Sequence, residues 1–196
     1  YTNMSFKKNK YQVIRQAVPK DLANFVMNYF LLQQDAVAYM VQNNIINKHN
    51  PLVGNWEDKQ VPNAYSKYGD WVMETLLQYV RPIMKEKTKL DLIPTYSYAR
   101  IYKKGNILKK HKDRPSCEIS TTLNLGGDHW SIYLENTKID LNPGDMLIYA
   151  GCELEHWREP FTGDFCVQVF LHYNHVNGKF GNNNLFDKRP MLGIPK

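Results

Sequence analysis

Cysteine is scarce in this chain. Its 196 residues hold three, Cys117, Cys152 and Cys166, with no C-x-x-C spacing between any two of them. So small and odd a count argues against a disulfide-built secreted domain and for a reducing, cytoplasmic compartment; the three are expected to be small core hydrophobes. Long apolar runs are also missing. A membrane span needs about eighteen uninterrupted apolar residues, and the most apolar stretch, NFVMNYFLLQQDAVAYMV, is broken by Asn28, Gln33, Gln34 and Asp35. The opening stretch YTNMSFKKNKYQV carries no signal-peptide pattern, and its first residue is Tyr rather than Met, as in a numbering that begins inside a longer chain. There is no long basic run either. The net charge of +6 leaves room for an acidic substrate or for nucleic acid, but the charges are scattered, which suits solubility. Repeats are absent, and the one biased tract is the polar NHVNGKFGNNN, expected to be a mobile surface segment.

What the chain does hold is aromatic. Aromatic residues make up 13%, with 13 Tyr and 4 Trp, as in a β-rich fold with a lined pocket. The length fits one domain over 1–196 with a sizeable core. Two periodicities divide it. Leu22, Phe25, Val26, Tyr29, Leu32, Ala36, Val37 and Met40 recur at helical spacing between Lys20 and Val41, behind Pro19. A second helix is predicted from Asp70, a good N-cap, carrying Val72, Met73, Leu76, Leu77, Val80 and Ile83; Pro82 should kink or end it. After Pro94 the period becomes two. TYSYARIY alternates, with Tyr96, Tyr98, Arg100 and Tyr102 on one face, and CEISTTLNL, HWSIYLEN, MLIYAG and FCVQVFLHY follow as strands. Turns at Gly105-Asn106, Gly126-Gly127-Asp128, Pro143-Gly144-Asp145 and Gly163-Asp164 separate them. The expected fold class is α+β: a mainly helical layer over 1–90, a jelly-roll core over 94–175 and a polar tail over 176–196.

Within this frame, LKKHKDRPSCEIS places His111 and Asp113 two residues apart just before a strand. Alone, H-x-D is too short to mean much. A jelly roll can hold a metal between its sheets, and His156, in GCELEHWREPF, is a candidate third ligand. Two histidines and one carboxylate on one face of an ion form the facial triad of non-heme Fe(II) oxygenases, with the other positions open to co-substrate and O2. The bland reading of His156 is a strand-end histidine bonded to a backbone carbonyl. His172 and His175, in HYNH, offer an alternative metal site, though solvated strand-end residues are the simpler expectation for them.

From Tyr96 to Tyr173 the order of parts resembles the 2-oxoglutarate- and Fe(II)-dependent dioxygenases, in particular the prolyl-4-hydroxylase-like group. YARIYKKGN, HKD, CEISTTLNL, a Gly-Gly-Asp turn, HWSIYLE, LNPGDMLIYAG, the histidine at 156 and FCVQVFLHY succeed one another as in that family. The resemblance implies a double-stranded β-helix that binds iron through His111, Asp113 and His156, with Tyr102 facing 2-oxoglutarate. It implies hydroxylation of a C–H bond, with O2 and 2-oxoglutarate converted to product hydroxyl, succinate and CO2, and ascorbate as an accessory reductant. One departure stands out. The family's Arg or Lys eight to ten residues after the distal histidine is replaced here by Asp164, Phe165 and Cys166. A dianion in a partly buried pocket needs an opposing charge or several donors. Arg158 and Arg100 are the preferred substitutes, with Gln168 as a neutral donor. Arg114, beside the metal pair, reads first as a surface arginine, and with Tyr98, Trp130 and Trp157 is a candidate for the substrate mouth. The resemblance favours a prolyl or other residue of a protein or peptide as substrate, with a small molecule as the alternative. Nothing looks like a base-stacking lid of interleaved Arg and aromatic residues, which argues against nucleic acid. The competing reading is a non-catalytic jelly-roll binding module with a vestigial metal site.

Overall fold

A computed structural model describes residues 5–196; residues 1–4 of the opening stretch lie outside it. Ten strands form two antiparallel sheets. They are β1 (Tyr11–Ile14), β2 (Tyr65–Tyr68), β3 (Leu92–Lys103), β4 (Leu108–His111), β5 (Ile119–Gly127), β6 (Ile132–Leu134), β7 (Thr137–Ile139), β8 (Met146–Tyr149), β9 (His156–Arg158) and β10 (Phe165–His175). The larger sheet runs β1-β8-β5-β10-β3-β2 and the smaller β4-β9-β6-β7. Besides a four-residue α1 (Phe6–Asn9), two long helices, α2 (Lys20–Gln42) and α3 (Trp71–Thr88), pack on the outside of the larger sheet.

Alternation along the central strands serves two cores at once. One face of β3, β5 and β10 presents Ala99, Ile101, Leu123, Leu125, Val167 and Val169 to Val26, Phe30, Leu77 and Val80 of the helices. The other face, with Tyr96, Tyr98, Arg100, Phe170 and His172, lines the space between the sheets. The expected tyrosine-arginine face of β3 is therefore the inner wall of the barrel.

Several elements depart from expectation. In α2 the buried stripe is Ala23, Val26, Phe30 and Val37, while Phe25 and Leu32 are 70% and 69% exposed. The apolar face of this helix is wider than the stripe the sheet covers, so periodicity alone does not choose its inward side. Pro82 does not end α3, which continues to Thr88. Pro82 and Gln78 both lie on the exposed side, where water can serve the carbonyl that a proline leaves unbonded. The region expected to be mainly helical also supplies β1 and β2 to the larger sheet. In the polar tract Asn174 is a buried residue of β10, and beyond Asn184 the chain turns back onto the barrel. There Asp187, 1% exposed, accepts hydrogen bonds from Arg114, Ser116, Tyr68 and Lys196.

Asp70 ties the two helices to the sheet. Its carboxylate caps α3 at the backbone N–H groups of Val72 and Met73, pairs with Lys67 at 2.9 Å and accepts from Tyr29 of α2. Burial alone would raise its pKa, but Lys67 and the hydrogen bonds outweigh that and hold it below the usual carboxylate range. Asp70→Ala, which strips the cap and leaves Lys67 unpaired, is expected to cost about 3 kcal/mol in denaturant unfolding. Because the folded pKa is depressed, the wild-type advantage should be complete above the unfolded carboxylate's value of about 3.9 and shrink as pH falls further. A gap between wild type and variant that stays constant down to strongly acid pH would contradict this.

Candidate metal centre

The centre is built by one strand pair. β4 and β9 run antiparallel with His111 directly opposite His156 and Leu108 opposite Arg158. Two residues of β4, Lys109 and Lys110, thus lie opposite one of β9, Trp157, the signature of a bulge. The extra residue brings both Leu108 and His111 to the cavity side; regular alternation would put them on opposite faces.

Each imidazole is oriented from behind. His111 Nδ1 is hydrogen-bonded to the Lys109 carbonyl at 2.7 Å, and His156 Nδ1 to the Leu154 carbonyl at 3.0 Å. Nδ1 therefore carries the proton and Nε2 offers a lone pair. Both Nε2 atoms point at one oxygen, Asp113 Oδ1, at 3.5 Å and 3.2 Å. Donors about 2.0–2.2 Å from a shared ion and at right angles would lie roughly 3 Å apart, so these three side chains fit a common ligand sphere. Burial would raise the Asp113 pKa, but the two histidines hold it well below the usual range, so the carboxylate is ionised. For His111, burial pushes downward and is outweighed by Asp113 and the Lys109 carbonyl, leaving it raised.

Asp113 is itself held by Ser120, which the sequence did not single out, and through it by His172. Its second oxygen accepts from Ser120 Oγ at 3.0 Å, and Ser120 Oγ meets His172 Nδ1 at 2.9 Å. His172, expected to be solvated, is instead 5% exposed, and burial pushes its pKa down to about 4. A neutral His172 can donate from Nδ1 to Ser120, which in turn donates to Asp113. Behind the carboxylate lies Gly151: a Cβ there would collide with Asp113 Oδ2 and with the Cys117 carbonyl. Asp113, Cys117 and His172 form a second trio with ligand atoms close enough for a metal. It is the poorer one, because burial and the neighbouring Asp113 raise the Cys117 thiol and oppose the thiolate that a metal needs. Cys117 and Cys166 are buried as expected, whereas Cys152 is only partly covered; all three are free thiols.

The triad opens into a cavity of about 320 Å³. The loop between α2 and β2 reaches over it: Asp58 pairs with Arg100 at 2.7 Å and accepts from Tyr98, while Gln60 bridges Arg100 and His111. The Arg100 charge is thereby spent on Asp58, so Arg100 is no free partner for an anion. Arg158 is the opposite case. It is 1% exposed and makes no ion pair among the described residues. It donates to the Trp130 carbonyl at 2.7 Å and weakly to Thr122, and its Nε has no partner. Gln168 stands behind it, with both ends of its amide taken by Thr122 and Asn124. Tyr102, fully buried, accepts from Arg100 and keeps its own hydroxyl proton to donate.

The substrate-mouth candidates divide. Tyr98 and Arg114 line the cavity, Arg114 with its guanidinium clamped by Asp187. Trp130 packs between Tyr102 and Phe161. Trp157 stacks on Tyr133 and under Lys110, outside the cavity. Neighbouring residues of a strand face opposite ways, and His156 takes the inward position.

No protein-family model and no curated protein matches the sequence. Solved structures do match. A prolyl-4-hydroxylase from Pseudomonas putida aligns with a TM-score of 0.57 and 14% identity over 87% of this chain and 95% of that one. A viral collagen prolyl hydroxylase from Paramecium Bursaria Chlorella virus-1, in complex with 2-oxoglutarate, gives 0.58 and 12% over 85% and 97%. HygX from Streptomyces hygroscopicus, with nickel, 2-oxoglutarate and hygromycin B bound, gives 0.58 and 10% over 87% and 84%. The chain thus has the double-stranded β-helix fold of the prolyl-4-hydroxylase-like 2-oxoglutarate oxygenases. No helix among the described residues is long and apolar enough to cross a membrane.

Two substitutions separate the supports from the ligands. Ser120→Ala should weaken Co(II) binding by about 10- to 100-fold, the usual cost of losing an outer-shell partner. Gly151→Ala should weaken it at least as much by displacing Asp113. Titration of the visible Co(II) spectrum measures both, and wild-type affinity in both would remove Asp113 from the site.

Proposed function

We propose that the protein is a 2-oxoglutarate- and Fe(II)-dependent oxygenase that hydroxylates a C–H bond, most readily one on a prolyl or other residue of a protein or peptide. The observation that carries this is the joint presence, inside one barrel, of a two-histidine, one-carboxylate trio and a fully buried arginine without a counter-ion. A buried guanidinium with an orphaned Nε is costly unless something anionic meets it. The far carboxylate of 2-oxoglutarate has the right charge and donor demand. Three free cysteines favour a reducing, cytoplasmic setting.

His111, Asp113 and His156 would hold Fe(II) on one face and leave the remaining positions to 2-oxoglutarate and O2. When bound, this group couples oxidative decarboxylation of 2-oxoglutarate to hydroxylation, giving succinate and CO2. Arg158 would pair with the far carboxylate, replacing the cation missing after the distal histidine, while Thr122 and Gln168 hold the guanidinium in place. The Tyr102 hydroxyl is a further donor. Tyr149, 2% exposed, packs edge-on against His156 and, with Leu108, Ile132 and Phe170, keeps bulk water from the reacting atoms. Ascorbate would serve only to restore Fe(II).

Anaerobic titration with Fe(II) and 2-oxoglutarate should produce the visible charge-transfer band of the chelate, and His111→Ala or Asp113→Ala should abolish both the band and succinate release. A protein that binds neither would be a jelly-roll binding module instead. Arg158→Met should raise the 2-oxoglutarate concentration for half-saturation by about 100-fold or more, the worth of a buried charge-assisted pair. It should leave the melting temperature of metal-free protein unchanged or higher, because it removes an unpaired buried charge. Lost stability with unchanged 2-oxoglutarate affinity would make Arg158 a structural residue only. Mass spectrometry of peptide libraries for a product heavier by one oxygen atom addresses the substrate.

A further inference from the structure

Beside the metal cavity runs a second depression of about 590 Å³ that shares Gln60 and His111 with it. Lys59, Lys103, Lys104 and Lys109 line it, and no Asp or Glu does. All four are exposed, and none forms an ion pair among the described residues, where the paired lysines are Lys10, Lys67, Lys85, Lys87, Lys110 and Lys196. Lys112, at the cavity itself, is equally unpaired. Unpaired like charges gathered around a concave surface raise the local concentration of anions and repel cations. Five lysines without an ion pair, Lys59, Lys103, Lys104, Lys109 and Lys112, thus stand around the entrance to the triad.

We propose that this groove binds an acidic, extended polypeptide segment and feeds its reacting residue to the metal cavity; the inference rests on the oxygenase reading and narrows its substrate class. Three features favour a polypeptide over a polynucleotide. The groove lining contains no Phe, Tyr, Trp or Arg, so it has neither stacking platforms for bases nor forked donors for phosphate. Pro62 and Ile107 supply apolar spots between the lysines, suited to side chains between carboxylates. Lys109 and His111 belong to β4, the edge strand of the smaller sheet, where an extended segment can add alongside. Lysine ammonium groups, flexible and strongly hydrated, read carboxylate charge without demanding one geometry.

The test is fluorescence anisotropy on metal-free full-length protein, which needs no turnover. The probes are labelled peptides of alternating Glu and Ala, the same length of alternating Gln and Ala, and an oligothymidylate of equal charge. The Glu peptide should bind at least about tenfold tighter than the Gln peptide, with the margin lost at high salt. K103E/K104E, at two exposed positions outside the triad and the anion site, should erase the margin. An equal affinity for both peptides, or a margin that survives the charge reversal, overturns the proposal. An oligothymidylate that binds tighter than the Glu peptide overturns it in favour of a polynucleotide. Selective Glu-peptide binding in a protein that releases no succinate would support the groove and count against the oxygenase reading alone.

Discussion

The candidate metal centre depends on the register of one short strand pair. β4 and β9 share only a few residues, yet their pairing sets His111 across from His156 and, through the bulge, turns Leu108 and His111 to the same side. A slip of β4 by one residue along β9 would send His111 outward and leave His156, held by β6, facing the cavity alone. Little in LKKH or HWR favours a strand by propensity, so the register is imposed from outside. β6 holds β9 from its other edge, and the inward Leu108 and Arg158 side chains are buried at 4% and 1% exposure. The carbonyls of Lys109 and Leu154 then use the backbone near each histidine to fix its tautomer. The bland expectation for His156, a strand-end histidine bonded to a carbonyl, is met in full. That bond also fixes the tautomer that the proposed ligand role requires.

The barrel interior is polar on one side of this pair, and its charges divide into settled and unsettled ones. Asp58 and Arg100 neutralise each other, as do Asp187 and Arg114 at the rim. Asp113, half-buried, and Arg158, fully buried, remain, neither with a formal opposite charge that is permanent at neutral pH. Under the proposed function the dication and the dianionic co-substrate complete the set. With Asp113 and Arg158 the four formal charges cancel, which is what a low-dielectric cavity demands. Neither ligand alone achieves this. The electrostatics therefore favour joint occupancy over either partial state.

Much of this was legible in the sequence because it follows from parity and order. The inward face of β3 and the cap at Asp70 are patterns of spacing, whereas the grouping of His111, Asp113 and His156 rested on a resemblance in the order of parts. Other features have no local signal. β4, β7 and β9 are too short to show alternation. The buried side of α2 is hidden because apolar residues such as Phe25 and Leu32 extend well beyond the stripe that the sheet covers. Asp58 and Gln60 reach the cavity from a loop rich in Asn, Pro and Gly, which gives no hint of its destination. Arg158 and Arg100 were equal candidates by sequence. Only the third dimension shows that one of them already has a carboxylate and the other has none.

The same contrast says how the cavity can be entered. Toward the α2–β2 loop its wall is closed by Arg100 with Asp58 and Gln60. Toward the tail it is closed by Arg114, held in two hydrogen bonds of 2.7 Å and 2.8 Å by Asp187. Phe186, Asp187 and Lys188 all adopt left-handed backbone angles, a conformation that costs free energy for such residues. The four side chains that converge on the buried Asp187 carboxylate offset that cost, and they show that the tail is fastened rather than draped. With both arginine flanks locked, the side left open is the one where the lysines stand unpaired and where Gln60 and His111 belong to groove and cavity alike. The cavity wall is paired on its two closed flanks, Arg100 with Asp58 and Arg114 with Asp187, and five lysines are unpaired on the side by which the proposed anionic chain would enter.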